Sequence, residues 1–284
     1  MTESVFETVE KSCQVLKLDF SSAELAILAQ EQELSPEQLQ AVGMILDHLW
    51  QKKVDTTIQT LPKMSRLPLK DPKTFASFDF SMIKGRDVKR LQSLPSLSAI
   101  YARRNLAFIG PPGTGKTHLA QAFGYECCQR GIKTYFIKMS ELRDKFTAAR
   151  RAGKEAAILN GLVRPSCLII DEVGHCEFDK ENTRLFFDLI DRRYNKEGNC
   201  NIIFTSNKHP SKWKANFNED DALLCALDRI FDDAIVFNTK GEGYRGKRLE
   251  TLALQTSRIK APEPEQPPAT ATKKSLPGLL AICF

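Results

Sequence analysis

The stretch NLAFIGPPGTGKTHL, residues 105–119, decides the fold. Leu106, Ala107, Phe108 and Ile109 form a short apolar run suited to a buried strand. Gly110, Pro111, Pro112, Gly113, Thr114, Gly115, Lys116 and Thr117 then fit G-x-x-x-x-G-K-[ST], and residues 118–130 have helix-forming composition. Strand, glycine-rich turn and helix follow in the order of a phosphate-binding loop. Gly110, Gly113 and Gly115 let the backbone turn tightly and aim N–H groups at an anion. The helix N-terminus adds free donors and the positive end of its dipole. Lys116 supplies a point charge for the β- and γ-phosphates, and the Thr117 hydroxyl a ligand for Mg²⁺. His118 completes the nucleotide-binding set.

Downstream, residues 133–138 read as a strand and residue 140 begins a helix, followed by the basic Arg150, Arg151 and Lys154. Cys167, Leu168, Ile169 and Ile170 form a strand that ends on Asp171 and Glu172. Residues 182–194 are helical, 201–207 a strand ending on Asn207, 222–231 a helix and 234–237 a last strand. This alternation argues a parallel α/β sheet with right-handed crossovers. Asp171 and Glu172 follow Lys116 by about 55 residues, and the ends of parallel strands share one crevice. Asp171 is placed to hold Mg²⁺ through water, and Glu172 to activate the attacking water as general base. Asn207, on a strand between those of the loop and of Asp171, is placed to sense the γ-phosphate. Arg229 is a candidate arginine finger for a neighbouring subunit, against an ordinary salt bridge with Asp228 or Asp232. Arg245 is a candidate phosphate contact in cis.

Upstream, Ser21 to Glu24 has the form of a capping box, and Ser35-Pro36-Glu37-Gln38 is a second helix start. Leu39, Val42, Leu46, Leu49 and Trp50 recur at helical spacing, extended by Val54, Ile58 and Leu61, with Pro62 as the stop. That stripe reads as a packing face. Residues 52–73 carry Lys52, Lys53, Lys63, Arg66, Lys70 and Lys73 against Asp55 and Asp71. The run serves either as a solvated linker or as a contact to a phosphate backbone. Phe75, Phe78 and Phe80 then suggest a latch against the next domain, with a nucleotide-base contact as the alternative. The domains expected are 1–72, helical with a basic linker; 73–258, nucleotide-binding; and 259–284, a disordered Pro-rich tail.

The 284 residues, 42% hydrophobic, suit one good core and a smaller second unit. No apolar run reaches the ~18 residues of a membrane helix. The acidic N-terminus lacks the pattern of a signal peptide, so a cytoplasmic location is expected. Eight cysteines form no C-x-x-C and read as buried thiols rather than a disulfide or zinc framework. Net charge +6 suits an anionic partner.

GPPGTGKTHLAQAFG, LIIDEVG, IIFTSN with Trp213 after it, ALDRIF and GEGYR together resemble the IstB-like ATPases. These are AAA+ helpers of an insertion-element transposase and relatives of DnaC-like helicase loaders. The resemblance covers roughly residues 73–250. It implies an AAA+ P-loop NTPase of the ASCE type with a small N-terminal helical domain and little or no C-terminal lid. It also implies ATP and Mg²⁺ at residues 110–117, a Walker B pair at Asp171 and Glu172, a first sensor at Asn207 and a finger at Arg229. The chain departs from the pattern at His175, Asp232, Asp233 and Gly243, positions expected at the rim. The expected activity is ATP-regulated homo-oligomeric assembly on double-stranded DNA through the ATP site, read by a transposase. Lys63, Arg66, Arg150, Arg151 and Lys154 are the candidate DNA contacts. The rivals are a replicative-helicase loader, an ATP-binding DNA scaffold with little hydrolysis, and a small-molecule P-loop kinase.

Overall fold

The computed structural model describes residues 4–83, 88–217 and 229–239. Three N-terminal helices come first: α1 (Val5–Leu16), α2 (Ser22–Glu31) and α3 (Pro36–Met64). Each starts on a serine whose side chain accepts a backbone N–H while Glu7, Glu24 or Gln38 reaches back to the cap. These reciprocal bonds satisfy donors that a helix start leaves unpaired. The box at Ser21 was legible, and Ser35 was legible as a helix start; the box at Ser4 was not anticipated. Val9, Cys13 and Leu25 form a small core, with Leu39, Val42 and Leu46 packed on it, as expected of the stripe. Leu49, Ile27 and Leu28 stay exposed.

Pro62 does not end α3. The helix runs one half-turn further, to Met64, and closes with the Ser65 N–H on the Leu61 and Pro62 carbonyls. Proline removes a single hydrogen bond here, and burial of Leu61 and Pro62 against the next unit offsets that loss. Lys52, Lys53 and Lys63 therefore sit on a helix, and the linker shrinks to the residues after Ser65. The Phe136 N–H of the sheet donates to the Ser65 carbonyl at 2.8 Å, so the end of α3 is fastened to the sheet.

Short helices α4 (Val88–Gln92) and α5 (Ser98–Tyr101) lead into β1 (Leu106–Ile109). There follow α6 (Lys116–Gln129), β2 (Thr134–Lys138), α7 (Met139–Arg151), α8 (Glu155–Val163), β3 (Cys167–Asp171), α9 (Lys180–Tyr194), β4 (Asn201–Ser206) and β5 (Ile235–Asn238). Helix α8 had no counterpart in the sequence reading. Of the expected helix at 222–231, only residues 229–231 are described, and they are helical. The five strands form one parallel sheet in the order β2-β3-β4-β1-β5. Strands β1, β3 and β4 are buried along their whole length, which explains their unbroken apolar runs. Edge strands β2 and β5 are only partly buried.

Two cores face the sheet. One packs Leu142 and Phe146 of α7, Leu159 and Leu162 of α8, and Phe186, Leu189 and Ile190 of α9 on one side. The other packs Leu119, Ala120 and Phe123 of α6 with Leu61, Leu67, Phe78, Leu94, Leu97 and Ile100. Arg193 of α9 is wholly buried at the amino-terminal end of the sheet. It donates to the carbonyls of Leu162, Val163, Pro165, Ser166 and Asn201, which fixes where β3 and β4 begin. Cys13, Cys127, Cys128, Cys167, Cys176 and Cys200 are free and buried. Cys225, Cys283 and the whole of 240–284, with the expected tail and lid region, lie outside the described residues.

Candidate functional site

The order β3-β4-β1 sets the carboxyl ends of three strands side by side, with Ile109 level with Ser206 and Ile170 level with Phe204. The glycine loop leaves β1 there. Gly113 and Gly115 take φ of 80° and 84°, the left-handed region that glycine adopts without steric cost. Gly115 is the cap residue of α6, so the first N–H groups of a 14-residue helix open onto the loop. Lys116 is 7% exposed, and its Nζ donates to the Pro111 carbonyl at 2.6 Å.

Across the crevice, Thr117 Oγ1 donates to Asp171 Oδ1 at 2.8 Å. Thr205 Oγ1, from the intervening β4, donates to the same oxygen at 2.5 Å. Asp171 is 2% exposed, and burial pushes its carboxyl above the usual range while the two hydroxyl bonds oppose the shift. Glu172 comes next with φ of 61°, unusual for a residue with a side chain. Its N–H donates to Thr205 Oγ1 at 3.0 Å, so one hydroxyl braces both acids. The half-exposed Glu172 carboxylate lies 3.3 Å from Lys138 Nζ at the end of β2.

Asn207 follows β4 and is exposed, with Nδ2 3.2 Å from His175 Nε2. His175, expected at the rim, is exposed and lies against Asn207. Below them the Ser206 hydroxyl donates to the Val173 carbonyl and accepts from the Trp213 indole. The turn after Asp171 and the turn after β4 are thus tied together, which accounts for the tryptophan after TSN.

The aromatic segment at 75–80 lies on the loop, as the latch expectation had it. A Cβ at Gly115 would fall 2.7 Å from the Phe78 ring. His118 packs edge-on to Phe78, and its Nε2 is 2.9 Å from the Thr74 carbonyl. A carbonyl oxygen only accepts, so Nε2 carries the proton. His118 is engaged with this segment.

Arg229 is not brought to this crevice. It pairs with Asp191 of α9 at 2.7 Å, and both partners are about half exposed; Asp228, one of the partners expected for it, lies outside the described residues. Arg229 lines a cavity of about 340 Å³ with Asn105, Arg193 and Asn201, near the amino-terminal ends of β1 and β4. Arg245 and Gly243 lie outside the described residues. Among the basic candidates, Arg66 pairs with Glu141 at 2.8 Å and sits over the Tyr135 ring. Arg150 donates to both oxygens of Asp179 at 2.9 Å. Lys63, Arg151 and Lys154 are exposed. Glu141, the partner of Arg66, and Arg150 lie toward opposite ends of α7, roughly 14 Å apart along its axis at 1.5 Å per residue.

Three residues of the site were missed in the sequence. Thr205 had a signal, a hydroxyl at the end of the apolar run IIF. Lys138, ending the edge strand, and Thr239, following β5, had none.

The chain matches the IstB-like ATP binding protein family over residues 10–251. It is 40% identical to an ATP-binding protein of insertion sequence IS5376 from Geobacillus stearothermophilus, over 70% of this chain and 78% of that one. It is 32% identical to the corresponding protein of IS21 from Pseudomonas aeruginosa, over 75% and 78%. The crystal structure of DnaI, 18% identical, aligns with a TM-score of 0.50 over 65% of this chain and 93% of its own. That likeness is one of fold alone, a parallel sheet flanked by helices. No described helix is long and apolar enough to cross a membrane. With a match that spans most of its length, the chain belongs to the family of IstB-like ATP-binding proteins.

Proposed function

We propose that this protein is an ATP-hydrolysing helper that assembles on double-stranded DNA and signals its ATP-bound state to the transposase of its insertion element. The observation that carries this reading is the convergence of the Thr117 and Thr205 hydroxyls on the buried Asp171, beside the glycine loop, with the Glu172 N–H held by the same Thr205. Its relatives, the ATP-binding proteins of insertion sequences, support the transposase as client.

In this mechanism the loop N–H groups and Lys116 hold the phosphates. Thr117 and Asp171 present two hard oxygens side by side, a donor set that fits Mg²⁺. The ion would neutralise charge on the phosphates and hold them in place. Glu172 leaves Lys138 to accept the proton of the attacking water. Asn207 orients that water or the γ-phosphate. Arg229 leaves Asp191 to reach the γ-phosphate of an adjoining copy, so assembly depends on the triphosphate. Lys63, Arg151 and Lys154 contact DNA phosphates, joined by Arg66 and Arg150 once these leave their acids.

The test is ATPase rate with and without duplex DNA, alongside particle size in ATP and in ADP. Lys116→Ala is expected to lose ATP binding and ATP-dependent assembly. Glu172→Gln is expected to bind ATP, hydrolyse it about 10²- to 10⁴-fold more slowly, and accumulate on DNA. Normal turnover by Glu172→Gln would remove Glu172 as the base. A protein whose size ignored both nucleotide and duplex would sink the proposal.

A further inference from the structure

The glycine loop is gripped from outside by a residue remote in sequence. Thr239 follows directly on β5, and its N–H donates to the Ile109 carbonyl at 2.7 Å. Its hydroxyl oxygen lies 3.0 Å from the same carbonyl oxygen and 2.8 Å from the Thr114 hydroxyl. The approach is so close that a Cβ on Gly110 would fall 2.2 Å from both the carbonyl oxygen and Oγ1 of Thr239. Gly110 also has φ of 150°, so nothing larger than glycine fits there.

The protons on these two hydroxyls can be followed. Each threonine has one to give. The Ile109 carbonyl already accepts the Thr239 N–H at 2.7 Å, which leaves the Thr239 hydroxyl proton for Thr114. That proton goes to Thr114 Oγ1 at 2.8 Å, and the Thr114 proton to the Pro111 carbonyl at 3.0 Å. The Pro111 carbonyl is also held by Lys116 Nζ at 2.6 Å. One loop carbonyl thus has two donors, and one of them is the ammonium that a phosphate requires.

We propose that Thr239 is a positioning residue for the phosphate loop. By anchoring the Thr114 hydroxyl beside the Pro111 carbonyl, it keeps that carbonyl satisfied when Lys116 turns to a phosphate. The inference rests on the reading that ATP is held in this loop. Without the Thr239 hydroxyl, Thr114 loses its outer anchor and the Pro111 carbonyl depends on Lys116. ATP must then compete for the ammonium. The effect falls on binding, because neither threonine touches the bond that breaks.

The experiment measures KM and kcat for ATP, and melting temperature, in the full chain carrying Thr239→Val or Thr239→Ser. Thr239→Val keeps the shape and removes the hydroxyl. It is expected to raise KM about 3- to 10-fold, the worth of one net hydrogen bond, with kcat within about 2-fold. Thr239→Ser is expected to restore KM to within about 2-fold. Thr114→Val should reproduce the defect, and the double valine variant should be no worse than either single one, since the two hydroxyls act as a unit. The proposal is overturned by an unchanged KM in Thr239→Val, by a serine variant as weak as the valine one, or by losses that multiply in the double variant. Should Thr239→Val fail to fold, Thr239→Ser and Thr114→Val decide the matter by the same criteria. If the parent protein binds ATP no better than Lys116→Ala, the nucleotide reading itself is wrong and this inference falls with it.

Discussion

Replacing Thr205 by valine tests whether one hydroxyl braces both acids of the crevice. Thr205 is 2% exposed, donates to Asp171 Oδ1 at 2.5 Å and accepts the Glu172 N–H at 3.0 Å. Valine has the same outline and neither bond. A hydrogen bond to a charged acceptor contributes about 1.5–3 kcal/mol net, and the stranded Glu172 N–H costs about 1 kcal/mol more. The added methyl, buried in an apolar strand, offsets roughly 0.8 kcal/mol. The balance is a destabilisation of about 2–3 kcal/mol. A unit of this size loses about 2–4 °C per kcal/mol, so the melting temperature should fall by roughly 5–10 °C. Chemistry should suffer more than binding. Glu172 sits at φ of 61°, a conformation that persists only where surrounding contacts hold it, and Thr205 supplies one of them. Thermal unfolding followed by circular dichroism, with kcat and ATP affinity measured on the same samples, reads all three quantities. Thr205→Ser keeps the hydroxyl and should stay close to the parent. A valine variant that melted within about 1 °C of the parent and turned over normally would refute the bracing.

Two other outcomes are expected. Arg229→Ala should lower ATP turnover of the assembled protein by about 10³-fold or more while the melting temperature barely moves, because the half-exposed pair with Asp191 contributes little to stability; unchanged turnover would return Arg229 to the role of a surface ion pair. Burial pushes the Cys128 thiol up to about 11 from an ordinary 9.0. The unfolded chain therefore ionises first as pH rises, and Cys128 costs the fold stability progressively between those two values. Melting temperatures measured from pH 8 to 11 should decline more steeply in the parent than in Cys128→Ala.

The parts of this molecule that were legible in its sequence are those that local patterning dictates. The loop 110–117 needs glycines at fixed offsets, and Asp171 needs a buried strand in front of it; both leave marks on a short stretch. The capping box at Ser21 and the helix start at Ser35 are local for the same reason. Pro62 misled because its local meaning, a helix stop, was overridden by burial against a unit remote in sequence. Helix α8 escaped because its nine residues carry a weak signal between two basic turns. Spacing told that Asp171 and the loop share a crevice. It did not tell that Thr205 faces Asp171, that Lys138 faces Glu172, or that His175 meets Asn207. Those pairings depend on strand register, which a single chain does not spell out.

The join between α3 and the sheet bears on how this protein can be divided. Strand β2 is an outer strand, and the Ser65 carbonyl occupies the Phe136 N–H on its open side. Leu61 and Leu67 plug into the same layer as α6. A recombinant fragment starting at residue 73 would forfeit both leucines, about 1.5–3 kcal/mol apiece. It would also offer a bare strand to any neighbour able to pair with it. A soluble nucleotide-binding fragment has to begin before Leu61, with the last turns of α3 kept as its lid.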